Sequence, residues 1–170
     1  SGVYLFGEIQ RDEAEFYIQD TPTTGRTRAE GDTVADGGNA ADGYIEHTFA
    51  VYRTVSTAGT AWVDWAVQTS VSGYTSTGAA DFWNDTVPSG RVEFVDGQSV
   101  AYVTIRTKVD DAGEQDEAFR LYLTQASPGS SIQGGSTANP GYVNNHVVLQ
   151  NDDTRFDASV QHVNEGQDLV

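Results

Sequence analysis

Between Val109 and Glu117 the chain reads Val-Asp-Asp-Ala-Gly-Glu-Gln-Asp-Glu, five carboxylates in nine residues. Like charges packed this closely repel and raise one another's pKa unless a cation offsets them. Carboxylate and carbonyl oxygens are hard donors, and calcium accepts roughly six to eight of them in irregular geometry. Magnesium insists on a tighter octahedron and keeps more of its water, so a crowded carboxylate pocket favours calcium. The chain has no cysteine, which excludes a disulfide framework and thiolate zinc sites.

The acidic run needs elements to hold it, and its flanks supply them. Ala101–Arg106 alternates with period two before it, and Phe119–Leu123 does so after it, so the acids form a loop between two half-buried strands. The same alternation marks a first strand over Glu15–Asp20, a second through Ile45, His47, Phe49 and Val51, and a third through Val63, Trp65 and Val67. A fourth runs through Val92 and Phe94, and the Asp96-Gly97 turn leads it into the fifth, over 99–108. The sixth covers 117–124, and a seventh carries Val147 and Leu149. The stretch from residue 20 to about 43 reads as irregular. With no sustained 3.6-residue period, the expectation is an all-β fold, a seven-stranded antiparallel β-sandwich of immunoglobulin-like type with little helix.

If each strand reverses the one before, the first-to-second, third-to-fourth and fifth-to-sixth connections and the end of the seventh strand share one pole. That pole then gathers Glu30, Asp81, the acids from Asp110 to Glu117, and Asp152-Asp153. The opposite pole takes Ser56–Thr60, Asp96-Gly97 and the uncharged 125–141 stretch.

The formal charge is −16, from 25 acidic residues against 9 basic ones, and no basic stripe exists, which argues against nucleic acid as a partner. No apolar run approaches the roughly 20 residues of a membrane helix. The absence of methionine suggests a piece of something longer. Residues 1–13 read as a lead-in or the tail of a preceding unit, 14–153 as the sandwich, and 154–170 as a linker and possible start of a following repeat, Glu165-Gly166 echoing Glu30-Gly31.

The run VDDAGEQDEAFRLYL, preceded by AADF and SGRVEFVDGQSVAYVTIRT and closed by VVLQNDD, resembles a Calx-beta domain. That family is the calcium-binding β-sandwich repeated in sodium/calcium exchangers, an integrin subunit and many large bacterial surface proteins. The resemblance covers roughly residues 30–153, and the elements Gly-x-x-x-Phe-x-x-Gly and Asp-Asp…Glu-x-Asp-Glu-x-Phe, in that order, carry it. It implies a calcium site built from Glu30, Asp81, Asp110, Asp111, Glu114, Glu117, Asp152 and Asp153, with a carbonyl from Ala112 and with Asp116 facing away. Asn151 stands where a third consecutive aspartate can occur, and Ala112-Gly113 where another acid or bulky residue can, which implies fewer ions or weaker binding.

The remaining chemistry-bearing residues read differently. His47, His146 and His162 have no nucleophile motif or His-Glu-x-x-His around them and are expected to be structural, so no catalytic residue is assigned. Trp65 shares a face with Val63 and Val67 and belongs to the core, whereas Trp62 and Trp83 are candidates for stacking on sugar rings. Asn84-Asp85-Thr86 is a glycosylation sequon with meaning only in a eukaryotic secretory setting. The expectation is a non-enzymatic, calcium-binding structural or adhesive repeat of a large secreted or cell-surface bacterial protein. Its partners would be neighbouring repeats, identical subunits, or surface glycans or proteins. The rivals are a calcium-sensing regulatory domain, a carbohydrate-binding module, and a filament subunit assembling by strand exchange.

Overall fold

The computed structural model describes residues 14–18, 43–109, 113–133 and 146–151, together with the backbone of 27–29. Ten strands appear among them: β1 (Glu15–Ile18), β2 (Thr27–Ala29), β3 (Tyr44–Thr54), β4 (Ala61–Gln68), β5 (Thr75–Ser76), β6 (Ser89–Phe94), β7 (Val100–Lys108), β8 (Glu117–Ala126), β9 (Ser131–Ile132) and β10 (Val147–Gln150). They form two layers. One sheet has the order β7-β3-β1-β9 and the other β2-β10-β8-β4-β6, with β5 alongside the start of β8. The only helical elements among the described residues are two 3-10 turns, Ala79–Asp81 and Trp83–Asp85.

The layers close on each other because alternate residues of each strand are apolar. Phe16 and Ile18, Phe49 and Val51, Val63 and Val67, Val92 and Phe94, Val103 and Ile105, Phe119, Leu121 and Leu123, and Val147 and Leu149 all point into one core. Burying each such side chain contributes about 1.5–3 kcal/mol. Trp65 is half-buried against this core. Its indole occupies the space a side chain at position 90 would need, for a Cβ there would stand 2.9 Å from Trp65 Cζ2, so the facing strand carries Gly90. β6 and β7 belong to opposite sheets, and the chain crosses between them in a turn at Asp96-Gly97, where Gly97 takes φ +80.

The seven strands read from the periodicity are present, and the sandwich is all-β. The count and the purely antiparallel pairing are corrected. β2, β5 and β9 are extra, two or three residues each, and all three pair in parallel, with β10, β8 and β1 respectively. The main pairings, β1 with β3, β3 with β7, β4 with β6 and β8, and β8 with β10, are antiparallel. Those pairings alternate the strand directions, so the loops after β4 and after β7 leave from the same pole.

Candidate metal centre

Asp81 closes the first 3-10 turn, where its Oδ2 accepts the Gly78 N–H and so fixes the carboxylate's orientation. The next residue, Phe82, is fully buried. Its ring lies 5.4 Å from that of Phe119 of β8, and its backbone bridges to Thr107 of β7. The turn is thereby pinned to both sheets, at the place where β7 ends and β8 begins.

Glu117 is the first residue of β8 and lies in the core-facing phase with Phe119 and Leu121, which leaves it only 7% exposed at the rim of the core. Its backbone is held on both sides, opposite Thr75 and opposite Leu149. Glu114 is exposed, three residues upstream, and its carbonyl accepts the side-chain amide of Asn151 at the end of β10. Thr75 donates its hydroxyl to Gln115 at 3.1 Å and its N–H to the Asp116 carbonyl at 3.2 Å. Three elements far apart in sequence therefore set the loop's position.

The outcome is a cluster in which Asp81, Glu114 and Glu117 each offer a carboxylate oxygen, all within 4.8 Å of one another. Two oxygens sharing one calcium ion at about 2.3–2.6 Å can stand at most about 5 Å apart, so the three fit the span of a single ion. The donors are all hard oxygens, with no imidazole or thiolate in the group, which suits calcium and not zinc. Three carboxylates taken one- or two-handed supply about three to six ligands, and the rest would come from carbonyls, water or further acids.

No family model matches the chain, and no curated protein matches it. Solved structures do. The apo form of the Calx CBD1 domain superposes with TM-score 0.56 at 20% identity, over 83% of this chain and 99% of that domain. The chain has the fold of the Calx calcium-binding domains. Two CBD12 structures, from CALX1.2 and CALX1.1, match with TM-scores of 0.55 and 0.54 at 21% and 20% identity. They are covered over only 44% and 46% of their length, so this chain spans less than half of each, while 82% and 81% of it is matched.

Within this Calx-type sandwich, three of the residues singled out from sequence, Asp81, Glu114 and Glu117, stand together. Glu30, Asp110, Asp111, Ala112, Asp152 and Asp153 lie outside the described residues. Asp116 is exposed and outside the cluster, and its Oδ1 accepts the Asn151 N–H at 3.2 Å. Asn151 itself, read from sequence only as a missing acid, ties the end of β10 to the acidic loop through two bonds.

The two tryptophans do not form one platform. Trp83 is 39% exposed, with its edge against Tyr44, ring centroids 5.2 Å apart, and lines a cleft with Glu46 and Arg106. Trp62 is half-buried rather than exposed, because the Arg91 guanidinium lies 3.5 Å over its ring. It lines a different cleft, beside Ser127 and Pro128. His47 is fully buried and bonds Thr107 Oγ1 at 2.8 Å, edge-on to Phe119, so its ring is part of the packing between the sheets.

Sequence reasoning passed over Arg53, which is 3% exposed and faces inward. The signal was present, since Arg53 continues the 45, 47, 49, 51 phase of β3.

Proposed function

We propose that the chain is a calcium-binding structural or adhesive repeat of a larger secreted or cell-surface protein, and that it performs no catalysis. The observation that carries this reading is the convergence of Asp81, Glu114 and Glu117 from the β5–β6 connection, the acidic loop and the start of β8, in a fold shared with Calx calcium-binding domains. The ion would add charge neutralisation and cross-linking of loops. Asp81, Glu114 and Glu117 would hold it, joined by Asp110, Asp111, Asp152, Asp153, Glu30 and the Ala112 carbonyl as the Calx-beta resemblance implies.

Each residue then has a mechanical role. Phe82 anchors the turn that carries Asp81 to the core, the first residue of β8 presents Glu117 at its rim, and Asn151 holds Glu114's backbone against the end of β10. Cross-linking these elements at the exit of the last strand would stiffen the joint to a following unit, converting a flexible connection into a rod segment. The partners in that reading are neighbouring repeats or identical subunits. Among the described residues no helix is long and apolar enough to cross a membrane. The absence of cysteine and the single lysine, Lys108, are compatible with a surface setting.

Calorimetric titration with calcium tests this. The wild-type chain should bind, and Asp81→Asn with Glu117→Gln should lose binding while keeping the wild-type far-ultraviolet spectrum. Undiminished binding by that folded double variant would remove the site from this cluster.

A further inference from the structure

The pole opposite the acids contains a buried cation with unused donors. Arg53 Nη1 donates to the carbonyls of Gly59 at 2.9 Å and Val95 at 3.5 Å, and Nη2 to that of Ala58 at 2.6 Å. A guanidinium has five N–H donors. Here Nε–H has no acceptor among the described residues, and Nη2 uses one of its two hydrogens. Nε and Nη2 share one edge of the guanidinium. It is the edge by which Arg91 grips Asp64, through Nε at 2.6 Å and Nη2 at 3.0 Å, and by which Arg106 grips Glu46, at 3.0 and 2.9 Å.

No carboxylate stands within ion-pair distance of Arg53 among the described residues. Asp96, in the neighbouring turn, directs Oδ1 at the Gly59 N–H instead, at 2.7 Å. Arg53 also lines a cleft of about 370 Å³ with Thr60, Trp62, Ser127, Pro128 and Ser130, and among the described residues it is the one charged group in that lining. A desolvated cation with a buried, unpaired Nε–H is costly without an anion and well suited to one.

We propose that this cleft is a carboxylate-binding site, with one carboxylate taken side-on by the Nε–Nη2 edge of Arg53, the hydroxyls of Thr60, Ser127 and Ser130 beside it, and Trp62 as the apolar wall. A planar monoanion fits a single guanidinium edge. A dianion would find one cation in a chain of net charge −16. The carboxylate has two possible sources, a small free acid or an acidic side chain of another copy. The second would let the acidic pole of one copy meet the Arg53 pole of the next, head to tail. The site stands independently of calcium binding at the acidic pole.

The test follows the Arg53 Nε–H resonance of the intact chain by nuclear magnetic resonance, in calcium-free buffer. The probes are acetate, acetamide as the uncharged control, and a capped peptide with the sequence of residues 109–117. Arg53 Nε–H should move saturably with acetate and not with acetamide, while the Arg91 and Arg106 signals, already paired, stay put. Half-saturation by the peptide about tenfold or more below that of acetate assigns the site to another chain, and comparable values assign it to small acids. Ser130→Trp, which fills the cleft without touching the Arg53 bonds, should abolish the saturable shift in a folded protein. Absence of saturation with both acids, or an unchanged titration in folded Ser130→Trp, overturns the proposal.

Discussion

The two poles of the sandwich solve the same problem with opposite charges. At one, the protein supplies its own cation: Arg53 reaches inward and gathers the carbonyls of Ala58, Gly59 and Val95, stapling the β3–β4 and β6–β7 turns together. At the other, the loops bring together the carboxylates of Asp81, Glu114 and Glu117, and the backbone around them is tied by the side chain of Asn151 and the N–H of Thr75, both neutral. A pole stapled by a side chain is ordered whenever the chain is folded. A pole that gathers carboxylates gains rigidity in proportion to the cation it meets, because a ligand that binds only the native state stabilises it by mass action.

The sharpest way to break the comparison is to remove what holds Asp81 in place. Phe82→Ala should cost about 3–5 kcal/mol, since a fully buried aromatic packed on Phe119 leaves a cavity. It should also weaken calcium binding, and denaturant midpoints with and without calcium separate the two effects. Arg53→Met comes next, with a loss of about 2–4 kcal/mol from carbonyls deprived of a charged donor. That loss should be the same in calcium and in chelator, because it belongs to the other pole.

Asp81→Asn with Glu117→Gln should behave in the reverse way. In chelator its unfolding temperature should equal or exceed the wild type's, as mutual repulsion is relieved. In calcium it should fall below the wild type's by the full ligand contribution.

The smallest effect concerns Asp64, whose carboxyl is held below the usual range by its hydrogen bond from Arg91, against a slight opposing effect of burial and with a lesser coulombic contribution from Arg91. A depressed carboxylate contributes stability above its unfolded-state pKa and loses it as the pH falls through the lower folded-state value. Asp64→Asn should therefore flatten the acid limb of the stability profile slightly and leave neutral pH almost unchanged, the pair being at the surface.

Much of this contrast was legible in the residues, and the reasons for the remainder are physical. Long strands such as β3, β7 and β8 declare themselves because each buries one face, so apolar residues recur at every second position. β2, β5 and β9 are too short to show a period, and they exist because a neighbouring strand offers an edge. Asp81 and Glu117 were readable because strand parity puts the connections that carry them at one pole, where the Calx-beta resemblance also implies a calcium site. Arg53 was not read, since an arginine on the inward phase of a strand looks like the strand's end until the carbonyls that receive it are seen. The half-burial of Trp62 depended on Arg91, a residue 29 positions away whose stacking no local pattern announces.

The central claim, that the acidic pole is a calcium site on a core that folds without it, is tested most directly by the unfolding temperature in chelator, in millimolar magnesium and in millimolar calcium. The account predicts a cooperative transition in all three, with a rise specific to calcium that corresponds to about 2.7 kcal/mol at a hundredfold excess over the dissociation constant. Equal unfolding temperatures in chelator and in calcium would contradict it.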